Sequence, residues 1–268
     1  SGSDLDSVDI LCGGFPCQPF SIAGYQKGFD DDRGNVFFEI IRLINELKNK
    51  PRALLLENVK NFYTHDKGNT FNTVKDLLED NGYSVSSNIF NTSEFTEIPH
   101  NRERTFIICF KDTKNYEMET YYENFCIPEY EQNTKKISEF LEANKVDEKY
   151  YYREDKYMYE DLLEVINKRD TIYQWRRIYV RENKSGVCPT LTANMGTGGH
   201  NVPLILVDDG IRKLTPRECF NLQGFPKNYK FPEDVPNSQL YKQSGNSVTV
   251  ALIEKIGKGI RQTLENFS

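Results

Sequence analysis

Val8-Asp9-Ile10-Leu11-Cys12-Gly13-Gly14 is a short apolar run that stops on two glycines. Such a run, bounded by turn residues, reads as a buried strand. The segments C-terminal to it decide the fold. From Val36 to Lys48, apolar residues fall at 36, 37, 40, 41, 44 and 47, the spacing of an amphipathic helix. Pro51 ends that segment, and Ala53-Leu54-Leu55-Leu56 reads as a second buried strand. Phe71 to Asp80 carries Val74, Leu77 and Leu78 on one helical face, with Asn81-Gly82 as its C-cap. Tyr83 to Phe90 and Thr105 to Phe110 complete the series as strands. Strand, helix, strand, helix, strand predicts an α/β sheet with mostly parallel pairing.

The regularity ends after Phe110. Residues 113 to about 170 are rich in Tyr, Glu, Lys and Asn, and Leu162, Leu163, Val165 and Ile166 mark a short helix. Tyr173 to Asp209 is rich in Gly, Asn, Thr and Pro, which predicts strands and long loops. The tail, Asn246 to Leu264, reads as one helix that packs back on the sheet. The expected division is therefore 1–112 with 242–268 as one domain, and 113–241 as a smaller, irregular, mostly-β domain.

The 268 residues carry a net charge of -6, with 28% charged, 38% hydrophobic and 13% aromatic residues, which is globular composition. No apolar run nears the roughly 18 residues of a membrane span. Ser1 to Val8 is acidic and polar, unlike a secretory signal. The six cysteines include no C-x-x-C pair and the three histidines are scattered, so no metal site is expected. Free thiols in a reducing compartment, the cytoplasm, are expected instead. The acidic balance argues against coating nucleic acid but leaves room for a local basic groove.

Three polar clusters sit at strand ends. Gly14-Phe15-Pro16-Cys17-Gln18 comes after the first strand, and Glu57-Asn58-Val59 after the second. Open α/β sheets bind ligands beyond the carboxyl ends of their strands, so Cys17 and Glu57 point to one rim. Pro99-His100-Asn101-Arg102-Glu103-Arg104 enters the strand at Thr105. In extended chain Arg102 and Arg104 share a face and can aim together. A thiol, a carboxyl and two guanidiniums suit nucleophilic catalysis with acid support. Taken singly, each also has a plain reading: a packed thiol, a helix-end carboxylate, a solvated charge run.

These residues resemble the motifs of the cytosine-5 DNA methyltransferases. Gly14-Phe15-Pro16-Cys17-Gln18, Arg33-Gly34-Asn35-Val36-Phe37-Phe38, Glu57-Asn58-Val59 and Arg102-Glu103-Arg104 stand in the family's order. Arg217-Glu218-Cys219 through Gln223-Gly224-Phe225-Pro226 and then Gly245-Asn246-Ser247-Val248 continue it. Asn58 to Thr70 is most similar to small bacterial restriction-modification members. The resemblance implies a Rossmann-like S-adenosylmethionine-dependent methyltransferase sheet and a separate target-recognition domain. It implies that Cys17 attacks C6 of a flipped-out cytosine, that Glu57 holds N3 and the exocyclic amine, and that Arg104 with Arg102 contacts O2 and nearby phosphate. Pro16, Val36, Asn246, Ser247 and Val248 become cofactor contacts. Gln18 to Arg33 becomes a loop that closes over DNA, with Ser21 and Arg33 as backbone contacts. One departure stands out: the family usually has Gly before the Ile-Pro and Gln after it, where this chain has Glu97 and His100.

The target-recognition region spans about 111 to 212. Gln174-Trp175-Arg176-Arg177-Ile178-Tyr179-Val180-Arg181 is basic and aromatic, flanked by Lys168, Arg169 and Lys184. It reads as a major-groove contact or as a solvated strand. By resemblance Gln174 and Arg177 fill the flipped-out space and read bases, and Thr190 lies near the phosphates. The glycines at 196, 198 and 199 suit a close approach of backbone to DNA.

Double-stranded DNA is thus the expected partner. A tRNA cytosine methyltransferase and a DNA-binding subunit or fragment remain as other readings. The family's opening glycine-rich turn and its ribose- and adenine-binding acids are not found before Asp9. The sequence therefore predicts missing N-terminal strands, an open sheet edge beside Val8, and a complementing N-terminal subunit or segment.

Overall fold

The computed structural model describes residues 2–16, 36–111, 125, 127–131, 133–156, 158–176, 178–196 and 202–266. Two compact units divide the chain. The first holds residues 1–90, 103–127 and 257–268; the second holds 91–102 and 128–256.

The first unit is built on strands β1 (Ile10–Gly14), β2 (Ala53–Val59), β3 (Tyr83–Asn91) and, after the two-residue β4 (His100–Asn101), β5 (Glu103–Lys111). Their order in the sheet is β1-β2-β5-β3. Helices α1 (Val36–Glu46) and α2 (Asn69–Asp80) connect them. Phe37, Ile40, Ile41 and Ile44 form the buried stripe of α1, as their spacing predicts. α2 ends where Gly82 takes φ +83° and donates its N–H to the Glu79 carbonyl. That is the C-cap geometry a glycine permits without strain. Register sets the core. Leu54 faces Cys109 and Leu56 faces Ile107 across β2 and β5. All four belong to one cluster with Phe15, Phe37, Phe62, Val74, Leu78 and Tyr83.

One expectation needs correction. β1 and β2 run parallel, but β5 runs antiparallel to β2 and lies between β2 and β3. The apolar run at Thr105 shows that a strand exists; nothing in a run of buried residues encodes its direction.

The second unit carries β6 (Tyr173–Arg176), β7 (Tyr179–Glu182), β8 (Cys188–Pro189), β9 (Pro203–Val207) and β10 (Gly210–Lys213). Four of these form a sheet in the order β10-β9-β6-β7, antiparallel at every pairing. β4 pairs with β8 in a separate two-stranded ladder. After the single turn α3 (Thr92–Phe95) come α4 (Tyr159–Val165), α5 (Pro216–Asn221), α6 (Asn237–Asn246) and α7 (Val250–Asn266). α4 presents Leu162 to Tyr173, Trp175, Val180, Leu204 and Ile211. The short helix matches the sequence reading, but the unit mixes helix with strand rather than being mostly β.

The boundaries do not fall at 112 and 242. Residues 91–102 and 242–256 cluster with the second unit. Buried side chains explain why: Thr92 and Thr249 share a hydroxyl hydrogen bond of 2.7 Å, and Gln223 accepts a second bond from Thr249. The tail is one helix, as expected, but it starts at Val250 rather than Asn246, because the preceding helix α6 ends at Asn246. Ser247 to Thr249 separate the two, and α7 starts with the Val250 N–H bonded to the Gln223 carbonyl.

Candidate active site and DNA-facing residues

The reversed direction of β5 positions the first cluster. Because β5 is antiparallel, its beginning lies beside the carboxyl end of β2: Val59 pairs with Arg104, and Glu57 with Phe106. Side chains two apart share a face, so Glu57 and Arg104 are diagonal neighbours on one face. Their side chains meet as an ion pair, Nε to Oε1, at 2.9 Å. Burial pushes the Arg104 guanidinium down from its ordinary pKa, and the Glu57 carboxylate offsets part of that cost.

β1 approaches from the other side. Gly14 pairs with Glu57, and the Phe15 N–H reaches the Glu57 carbonyl. A Cβ on Gly14 would stand 3.4 Å from Glu57 Oε2, so this glycine leaves the carboxylate open on that side. Phe15 is buried against Phe37 and Phe62, which anchors the chain as it leaves the strand. Pro16 comes next, exposed. Cys17, the expected nucleophile, lies outside the described residues, as do Ser21, Arg33, Arg177 and the rest of the segment Gln18 to Arg33.

Arg102 requires a correction. The strand is interrupted there, between β4 and β5, so the alternation that would aim it with Arg104 does not apply. It is buried, at 2% exposure, and its guanidinium donates to three carbonyls: Leu191 at 3.0 Å, Gly245 at 3.1 Å and Ser247 at 2.6 Å. Arg102 therefore ties backbone segments of the second unit together.

The DNA-facing candidates also divide. Gln174 is buried in β6, which has a neighbour on each edge, and its Oε1 accepts from Arg176. The sequence reading of it as a surface reader thus meets a covered side chain. Arg181 is exposed, Arg176 half-buried. Beside them Ile178 and Tyr179 stand exposed at the turn between β6 and β7. Lys168 and Arg169 pair with Glu182 and Asp208, which dilutes the positive field. Thr190 is half-buried, its hydroxyl donating to the Asn101 carbonyl at 2.6 Å.

Sequence reasoning missed two features of the second unit. Arg212 and Glu218 form a buried bidentate pair at 2.7 and 2.6 Å. Glu218 also closes the capping box of α5 with Thr215. The Arg-Glu-Cys motif marked Glu218 but gave no sign of its partner. Gly245, in the Gly-Asn-Ser-Val motif, is a close approach: a Cβ there would overlap the backbone of Thr192 and Ala193.

The cofactor candidates fall in both units. In the first unit, Pro16 is exposed and Val36 is exposed at the head of a helix whose later apolar residues are buried. In the second, Asn246 is exposed at the end of α6, with Ser247 and Val248 half-buried behind it. The exposed Asn246 amide can both donate to and accept from a polar ligand. Among the described residues no helix is long and apolar enough to cross a membrane. Cys12, Cys109, Cys188 and Cys219 are free thiols, and burial raises the pKa of all four.

Comparison with known proteins places the chain in a family. The profile of the C-5 cytosine-specific DNA methylases matches residues 1–262. The chain belongs to that family. It is 49% identical over 264 residues to the type II methyltransferase M.Bsp6I of Bacillus sp. (strain RFL6), covering 97% of this chain and 81% of that protein. It is 38% identical over 269 residues to the type II methyltransferase M.HhaI of Haemophilus parahaemolyticus, covering 96% and 76%. The crystal structure of the S. pombe Dnmt2 methyltransferase superposes with a TM-score of 0.69 over 97% of this chain and 79% of that one. At 19% identity that likeness speaks to fold, and it agrees with a methyltransferase sheet. The expectation of a separate N-terminal subunit gains no support from these relatives.

Proposed function

We propose that this C-5 cytosine-specific DNA methylase modifies a cytosine within a specific duplex sequence, as part of a restriction-modification system. The observation that carries the reading is the Glu57–Arg104 pair at the rim where β1 leads toward Cys17. The type II relatives support the restriction-modification setting.

These groups account for the chemistry. The target base leaves the stack, because its ring is closed to attack within a duplex. The Cys17 thiolate bonds to C6, and the C5=C6 electrons move to C5. Glu57 faces N3 and the exocyclic amine. Arg104 faces O2 and offsets the charge that the attack drives into the ring. S-adenosylmethionine, when bound, supplies the methyl group; by the motif resemblance Pro16, Val36, Asn246, Ser247 and Val248 would hold it. Loss of the C5 proton to a base restores the C5=C6 bond and expels the Cys17 thiolate. Arg102 serves as a positioning residue here. Arg176, Arg181 and Thr190 are the DNA contacts with described surroundings; Ser21, Arg33, Gln174 and Arg177 are carried with them by resemblance.

The test is transfer of labelled methyl from S-adenosylmethionine to duplex DNA, with tRNA as the comparison. Transfer to duplex DNA that disappears in Cys17→Ser is expected. Transfer to tRNA alone, or undiminished transfer by Cys17→Ser, would overturn the proposal.

A further inference from the structure

Within the second unit, residues 99–102 are stitched to residues 188–191 at consecutive positions. β4 and β8 pair His100 with Cys188 and Asn101 with Pro189. The Cys188 N–H donates to the Pro99 carbonyl at 2.7 Å. Thr190 Oγ1 donates to the Asn101 carbonyl, and Arg102 Nη1 to the Leu191 carbonyl. His100 closes the seam. The Leu191 N–H lies 3.2 Å from His100 Nε2, and His100 Nδ1 lies 3.2 Å from the Leu222 carbonyl.

Those two partners fix the state of the ring. A backbone N–H can only donate, so Nε2 carries no proton. A carbonyl can only accept, so Nδ1 carries one. His100 is fully buried, and a neutral imidazole with its proton on Nδ1 satisfies both neighbours. One donor and one acceptor is also what a glutamine amide offers, and glutamine is the residue usual at this position in the motif.

We propose that His100 is a positioning residue that fixes the Leu191 backbone and, through adjacent Thr190, the DNA-facing segment 189–193. Duplex affinity, rather than the methyl-transfer step, then depends on it. The inference rests on the reading of Thr190 as a DNA contact.

Two measurements on the full chain test it. Amide hydrogen exchange without DNA reads the seam directly, and steady-state kinetics on duplex DNA separates KM from kcat. In His100→Ala, peptides over 188–196 should exchange about tenfold faster, the scale of one lost buried hydrogen bond. KM for DNA should rise about tenfold, with kcat within about threefold of wild type. His100→Gln should restore both readouts. Wild-type protection and KM in His100→Ala would overturn the proposal. Should His100→Ala not fold, His100→Gln decides: a folded variant lacking protection refutes it, and one with wild-type protection and KM supports it. If the wild-type chain does not methylate DNA, the functional reading fails while hydrogen exchange still reports on the seam.

Discussion

Arg102 and Arg104 are the same residue type, two positions apart, in one motif, and they face different tasks. Arg104 sits near a strand start, partly exposed, with its Nε paired to the Glu57 carboxylate and its Nη1 donating to the carbonyl of its neighbour Glu103. Arg102 is buried among three backbone carbonyls from two distant segments. The first arrangement leaves charge available for chemistry; the second uses charge to hold chain together. Spacing within a motif therefore says little about role when the strand breaks between the residues.

Four substitutions sharpen that contrast, in order of size. Glu57→Gln keeps the shape of the rim but removes its acid, and kcat should fall by about 10²–10⁴-fold with little change in urea midpoint. A kcat within threefold of wild type would place the acid elsewhere. Arg212→Ala should instead destabilise by about 3–5 kcal/mol, since it leaves Glu218 buried without its guanidinium. An unshifted denaturation midpoint would contradict the buried pairing. Gly245→Ala forces a methyl into the Thr192–Ala193 backbone and should cost about 1–3 kcal/mol. Thermal unfolding reads it, and a wild-type Tm would mean the close approach relaxes freely. Lys60→Ala removes an exposed ion pair with Glu103, next to Arg104 in sequence, and should change stability by less than about 1 kcal/mol. A larger loss would show that the rim, too, leans on charge for its stability.

Much of the first unit was legible because burial leaves a periodic trace. The positions 37, 40, 41 and 44 gave α1, and Ala53 to Leu56 gave β2. The antiparallel insertion of β5 left no such trace, and with it the Glu57–Arg104 neighbour relation was hidden until the register was known. The break between α6 and α7 was also hidden, since Val248, Val250, Leu252 and Ile253 continue an apolar pattern through it. Thr249 lies in that break, buried against Thr92 and Gln223 from distant parts of the chain. Gln174 looked like a surface residue because its neighbours in sequence are basic; its neighbours in space are strands. Roles for Glu57 and Arg104 came from the motif resemblance, and geometry then gave them a shared face.

The placement of β5 also constrains the order in which the sheet can be built. β3 precedes β5 in the chain, yet β5 is its neighbour in the sheet. Until the ribosome has delivered residues 103–111, both β2 and β3 present unpaired edges, and edges of that kind invite association with other chains. The last strand to arrive is the one that joins the other two. A nascent chain halted before Glu103 therefore holds the acid of the rim without its arginine, and two unpaired strand edges in place of a continuous sheet.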